Sequence, residues 1–235
     1  MLNWLRTLAR RDEDPGALGR HGFLLGSLIG LLVALPLGQA ITGSPQRFSI
    51  LLTLVLLAAV LVNSHQRWIF GLATLVGLGA VAASTAAEFT DSSQLRILGH
   101  LASFGLLSFT TMVMLNSLIQ SDEVSQDTIV GGICVYLLMG LCFTMIFIVT
   151  AEVRPGAFVS DAGPVLRSLT DTSEHATTLL YFSFVTLTTL GYGDVRPVGD
   201  MAQMFAVTEA TIGQLYLTIF VARLVGLYVR RQRKS

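Results

Sequence analysis

The chain has 235 residues, 52% of them hydrophobic and 13% charged, with a mean hydropathy of +0.67. A soluble domain carries about 25% charge, so the main solvent for this chain is a bilayer rather than water. Fifteen basic and fifteen acidic residues cancel, which excludes the charge excess of a nucleic-acid binder or an acidic tail.

From the N-terminus, residues 1–20 read as a cytoplasmic tail. Leu2, Leu5, Leu8 and Ala9 fall near one helical face, so an interfacial helix and a frayed tail fit it equally well. No cleavable signal is expected, because Asp-Glu-Asp-Pro-Gly follows where a small-residue cleavage site belongs. A spanning helix needs about 20 mostly apolar residues. Six runs approach that length: Phe23–Ile41, Phe48–Asn63, Trp68–Ala87, Ile97–Ile119, Thr128–Ala151 and Met201–Val229. The expected fold class is therefore an all-α integral membrane protein of six transmembrane helices. It divides into a four-helix N-terminal domain (21–127), a pore domain (128–230) and a C-terminal tail (231–235).

Arg6, Arg10, Arg11 and Arg20 precede the first run, and Arg230, Arg231, Arg233 and Lys234 follow the last. Positive segments stay inside, so both termini are expected to be cytoplasmic in a multi-pass plasma-membrane protein. Cys134 and Cys142 lie eight residues apart in one apolar run. That is about 12 Å along a helix, against the roughly 7 Å that a disulfide tolerates, so both are expected to be free packing residues.

One apolar stretch cannot span. Ala176–Gly193 is charge-free but only eighteen residues long. Its expected helix, Thr177–Thr188, reaches roughly 18 Å of the roughly 30 Å hydrocarbon core. Glu174 before it and Asp194 after it sit on the same side in the expected orientation, so the segment must enter and return. Non-helical backbone at membrane depth survives only when buried in protein or lining water, which makes a re-entrant loop a pore hypothesis. The return limb is Thr188-Thr189-Leu190-Gly191-Tyr192-Gly193-Asp194. Its two glycines admit positive φ, and alternating backbone conformations can turn successive carbonyls toward one axis. The preceding helix would aim its negative end at the centre, which favours a cation.

Thr188 to Asp194, followed by Pro197, resembles the selectivity-filter signature of the tetrameric potassium channels. The resemblance covers roughly Thr128 to Arg230. It implies a homotetramer in which the backbone carbonyls of Thr189, Leu190, Gly191 and Tyr192, with the Thr189 hydroxyl, bind potassium ions, and Gly193 completes the filter. It also implies a hinge glycine at Gly213. Ile212-Gly213-Gln214-Leu215-Tyr216 looks like bacterial members with extra N-terminal helices. Departures are Leu190 for the usual valine or isoleucine, Tyr181-Phe182 for a common tryptophan pair, and Val185 where some members place a glutamate. With no glutamate there, Asp194 is expected to turn to Tyr181 for support.

The fourth run contains no arginine, and Arg96 stands at its mouth. A voltage sensor needs several charges, each worth about 2.3 kcal/mol per 100 mV, so none is expected here. Small residues in the first and third runs read as close helix packing. No cytoplasmic ligand-binding domain is expected in this chain. No enzyme is expected either: metal-binding, phosphate-loop and nucleophile–base patterns are missing, and His21, His65 and His100 sit near crossing ends as interfacial residues. Glu209 is the one acid inside a crossing. Two readings stand: an acid behind the filter accepting from pore-helix hydroxyls such as Thr186 or Thr188, of its own or a neighbouring subunit, or a neutral acid making one helix–helix hydrogen bond. The sequence thus points to passive potassium conduction, with a potassium-transporter subunit or a weakly selective cation channel as alternatives.

Overall fold

The computed structural model describes residues 21–42, 93–120, 125–161, 163–165 and 172–232, with isolated helical positions at 75, 78, 79, 82, 86 and 90. The elements are α1 (His21–Thr42), α2 (Ser93–Gln120), α3 (Gln126–Val153), β1 (Phe158–Ser160), β2 (Gly163–Pro164), α4 (Thr172–Leu187), β3 (Val195–Pro197) and α5 (Asp200–Gln232). The first, fourth, fifth and sixth expected crossings are thus helices. The N-terminal tail, the second crossing, His65, most of the third crossing and residues 121–124 lie outside the described residues. Among the described residues three helices are long and apolar enough to cross a membrane: Gln94–Gln120, Gln126–Val153 and Asp200–Leu227.

Local chemistry sets the ends of α3. Ser125 caps it, its hydroxyl accepting from Thr128 N–H at 3.1 Å, and Asp127 sits in the first turn where the helix dipole favours an acid. At the other end Arg154 N–H returns to Thr150 O at 2.9 Å, and Pro155 follows, which cannot continue the ladder. Within the helices the buried threonines Thr110, Thr111, Thr144 and Thr150 donate to the carbonyl four residues back at 2.7–2.8 Å. No hydroxyl of these four is left open in an apolar surrounding.

Helix α3 is the hub, packing against α1, α2, α4 and α5. Cys134 and Cys142 are free thiols within it, as expected. Two histidines expected to be interfacial each meet an acid of α3. His21 Nδ1 of α1 is 2.7 Å from Asp127 Oδ2. His100 Nε2 of α2 is 3.4 Å from Glu152 Oε1, both side chains largely buried. The N-terminal helices are thereby tied to the hub at its two opposite ends.

Glycine sets the closest approach of α3 to α4. A Cβ on Gly140 would lie 2.8 Å from the Phe184 ring. At the end of α3 nearest the strands, Phe147, Phe158 and Phe182 form an edge-to-face triangle with centroids 5.0–5.5 Å apart. The Phe182 ring joins α4 to α3 and β1. A small antiparallel sheet, ordered β2-β1-β3, pairs Phe158 with Pro197, Val159 with Arg196 and Ser160 with Val195. It anchors the chain on the far side of the segment that follows α4.

Candidate functional site

Helix α4 begins at Thr172, five residues before the expected start, and ends at Leu187. Sixteen residues make about 24 Å, still short of a roughly 30 Å core. A helix end leaves its last carbonyls without intrahelical donors, and here each finds one. Phe184 O accepts from Thr188 N–H at 3.0 Å and from Thr188 Oγ1 at 2.6 Å. Thr189 N–H donates to Thr186 O at 3.0 Å, and Leu190 N–H to Val185 O at 2.9 Å. Tyr136 of α3 donates its hydroxyl to Leu187 O at 3.0 Å. The turn after α4 is therefore locked to the helix end that precedes it.

Beyond that turn the chain opens. Thr188 to Gly193 are six consecutive exposed residues. φ is positive at every second one: +58° at Thr189, +60° at Gly191 and +81° at Gly193. Glycine adopts this region freely, whereas a β-branched residue there is an outlier that its surroundings must hold. Among the described residues no hydrogen bond reaches the carbonyls of Thr189, Leu190, Gly191 or Tyr192. The Tyr192 side chain is 67% exposed.

The flanks of this segment are braced. Tyr181 Oη donates to Asp194 Oδ2 at 2.8 Å, joining the middle of α4 to the end of the open segment. Glu209 of α5 is fully buried, and its partner is a hydroxyl of α4, though neither Thr186 nor Thr188. Ser183 Oγ lies 2.6 Å from Glu209 Oε1 and 2.7 Å from Gly140 O, so α3, α4 and α5 meet at one hydroxyl. Thr188 instead turns its hydroxyl back on its own helix. Ser183 is one helical turn before Thr186 on a shared face, and the depth of α4 beside α5 decides between them.

Gly213 lies in an uninterrupted helix. A Cβ there would sit 2.8 Å from both Leu187 O and Leu187 Cδ1, so this glycine is where α5 touches the end of α4. The next residue, Gln214, donates its Nε2 to Thr189 Oγ1 at 3.2 Å. Lower on α5, Tyr216 Oη donates to Gly132 O at 2.7 Å, and its ring stacks on Phe220 with centroids 5.6 Å apart. Arg223 donates to Ile119 O at 2.7 Å, a carbonyl in the last turn of α2. Ser183 and Tyr136 were not singled out from sequence, and Gln214 and Tyr216 entered only as part of the motif around Gly213. The tyrosines carried a signal, since a phenol in an apolar run requires a partner for its hydroxyl.

The ion channel family model matches residues 157–230, the stretch from the strands through the open segment to most of α5. Protein LctB of Geobacillus stearothermophilus is 32% identical over 124 residues, covering 51% of this chain and 87% of that protein. The chain belongs to the ion channel family. It is a helical membrane protein, and the open segment after α4 lies in the matched region. Protein LctB of Bacillus caldotenax is 31% identical over 90 residues, covering 38% of this channel chain and 64% of that protein. Two pore potassium channel c of Oryza sativa subsp. japonica is 33% identical over 91 residues, 39% of this chain and 17% of the rice protein. The match thus spans less than two thirds of the length of each of these last two relatives. No solved structure matches the chain.

Proposed function

We propose that the chain is one subunit of a homotetrameric potassium-selective channel, with residues 188–193 as its selectivity filter. The observation that carries this reading is the alternation of positive φ at Thr189, Gly191 and Gly193 in an exposed segment directly after a helix too short to span. Open carbonyls cannot face lipid without a cost of several kcal/mol each. They can face a file of cations, replacing the ion's hydration shell. One chain supplies one side of such a cage, and four chains close it. The carbonyls of Thr189, Leu190, Gly191 and Tyr192 and the Thr189 hydroxyl would then hold potassium. The C-terminal end of α4 adds negative potential.

The Tyr181–Asp194 bond braces the outer end of the filter, and Gly213 serves as a close-packing point with the hinge role that its position implies. The name of the rice relative supports potassium over other cations. Six crossings with both termini cytoplasmic, in the plasma membrane, complete the reading. Opening depends weakly on voltage, because Arg96 is the one arginine or lysine in α2.

The test is flux from liposomes carrying the purified protein under potassium and sodium gradients. Wild type should pass potassium and exclude sodium. Gly191→Ala places a Cβ at φ +60°, where left-handed backbone costs roughly 1–2 kcal/mol per residue. It should lower the potassium-to-sodium permeability ratio at least tenfold. Equal sodium and potassium flux in wild type leaves a weakly selective cation channel. An unchanged ratio in Gly191→Ala removes the filter assignment.

A further inference from the structure

Gln214 is the polar residue of α5 that reaches the filter segment, and the mechanism so far leaves it unused. It gets there through its neighbour, since the missing side chain of Gly213 lets α5 come within 2.8 Å, measured from a Cβ position, of Leu187 O. One residue on, Gln214 Nε2 donates to Thr189 Oγ1 at 3.2 Å. Both side chains are exposed in the single chain, on the side where the filter segment is open.

Thr189 has two distinct tasks. Its backbone holds φ +58°, and its hydroxyl is the one side-chain ligand in the proposed ion file, at the end nearest α4. A hydroxyl oxygen has two lone pairs and one proton. When the Gln214 amide donates to it, one lone pair is occupied, a partly positive hydrogen stands beside the ion position, and the rotamer is set. The cation is offered one lone pair instead of two.

We propose that Gln214 is a positioning residue that weakens the innermost cation site of the filter through the Thr189 hydroxyl. This rests on the filter reading above and adds to it the control of how long an ion is retained at that site. Conduction needs sites that bind well enough to fill and weakly enough to release. Four amides aimed at four hydroxyls act on the second requirement.

The probe is Ba2+, a divalent cation close to potassium in size that an oxygen cage retains longer. Its equilibrium binding to the purified, reconstituted protein, and its displacement by potassium, do not depend on conduction. Gln214→Met keeps the side-chain length and removes the donor. It should bind Ba2+ at least fivefold more tightly than wild type. In a Thr189→Ala background the same Gln214→Met change should make no difference, because the hydroxyl through which it acts is gone. In a Thr189→Val background, which keeps the side-chain shape and lacks the hydroxyl, the difference should likewise vanish, so the comparison stands even if Thr189→Ala fails to assemble.

Unchanged or weaker Ba2+ binding in Gln214→Met overturns the proposal. So does an equal shift with and without the Thr189 hydroxyl, which would make Gln214 a general lining residue. The two readings separate cleanly. Wild type that binds neither Ba2+ nor potassium removes the filter itself. Wild type that binds both, with an indifferent Gln214→Met, removes the role of Gln214 alone.

Discussion

Helices α3 and α5 are built from similar material and end in opposite situations. Each offers a 28-residue apolar span, yet 67% of the most apolar window of α3 is buried inside the chain against 6% for α5. Exposed apolar surface alone does not separate the two, because lipid tails cover Leu and Val as well as protein does. The polar atoms separate them. Around α3 each buried threonine hydroxyl returns to a carbonyl one turn back, and Tyr136 and Tyr216 cap carbonyls across helix contacts. Beside α5 runs a stretch of six exposed residues with open carbonyls. Lipid cannot satisfy those groups. The hydroxyls of the α3 side are satisfied within one chain, whereas the open carbonyls of the α5 side require water, ions or further copies of the chain.

The largest effect in this comparison should come from the α3 side. Phe147 is fully buried and contacts Phe143, Phe158 and Phe182. Phe147→Ala should cost about 3–5 kcal/mol and be seen as a lowered unfolding midpoint of the detergent-solubilised protein, with loss of assembly. Gly191→Ala should do the reverse, sparing the fold and degrading selectivity. Equal loss of fold in both variants would erase the distinction between the two sides.

A smaller effect is expected at the hydroxyl where the sides join. Ser183→Ala removes the partner of Glu209 Oε1 and one donor to Gly140 O, while Thr144 Oγ1 still donates to that carbonyl at 2.8 Å. Leaving the buried carboxyl unpartnered should cost about 1–3 kcal/mol, read in the same unfolding measurement. Stability equal to wild type would mean that Glu209 finds another partner.

Helix positions were legible from apolar run length, because a bilayer demands a minimum span and a charge ends it. Phe23–Ile41 became His21–Thr42, and Met201–Val229 became Asp200–Gln232. Helix α4 starts earlier than the charge-free run because Glu174 does not end a helix: an acid is at home in a helix's first turn. The three strands, of three, two and three residues, carry too little pattern to read. At the site, Gly191 and Gly193 were legible because positive φ selects glycine. Which hydroxyl of α4 meets Glu209 was not, since Ser183, Thr186 and Thr188 differ in depth along the helix as well as in direction, and run length fixes neither. The reach of Gln214 was not legible either, because it depends on the close contact at Gly213.

The smallest expected effect concerns the charge of Glu209, and the proton count at Ser183 decides the expectation. Ser183 Oγ is within hydrogen-bond distance of two oxygens, Gly140 O at 2.7 Å and Glu209 Oε1 at 2.6 Å. A serine hydroxyl has a single proton to give. If it goes to Glu209, two oxygens face each other at 2.7 Å with no hydrogen between them. If it goes to Gly140, the hydrogen in the 2.6 Å contact must come from Glu209, which is then a neutral acid. The second arrangement places one proton in each contact. A glutamine at 209 reproduces it, because the amide N–H donates to Ser183 as the acid would. Glu209→Gln should therefore assemble with stability within about 1 kcal/mol of wild type, the scale of one net hydrogen bond, and with unchanged single-channel conductance and potassium-to-sodium permeability ratio. Altered conductance in Glu209→Gln would show an ionised carboxylate whose charge is felt by the ions, and would move this residue from the α3 side of the molecule to the open one.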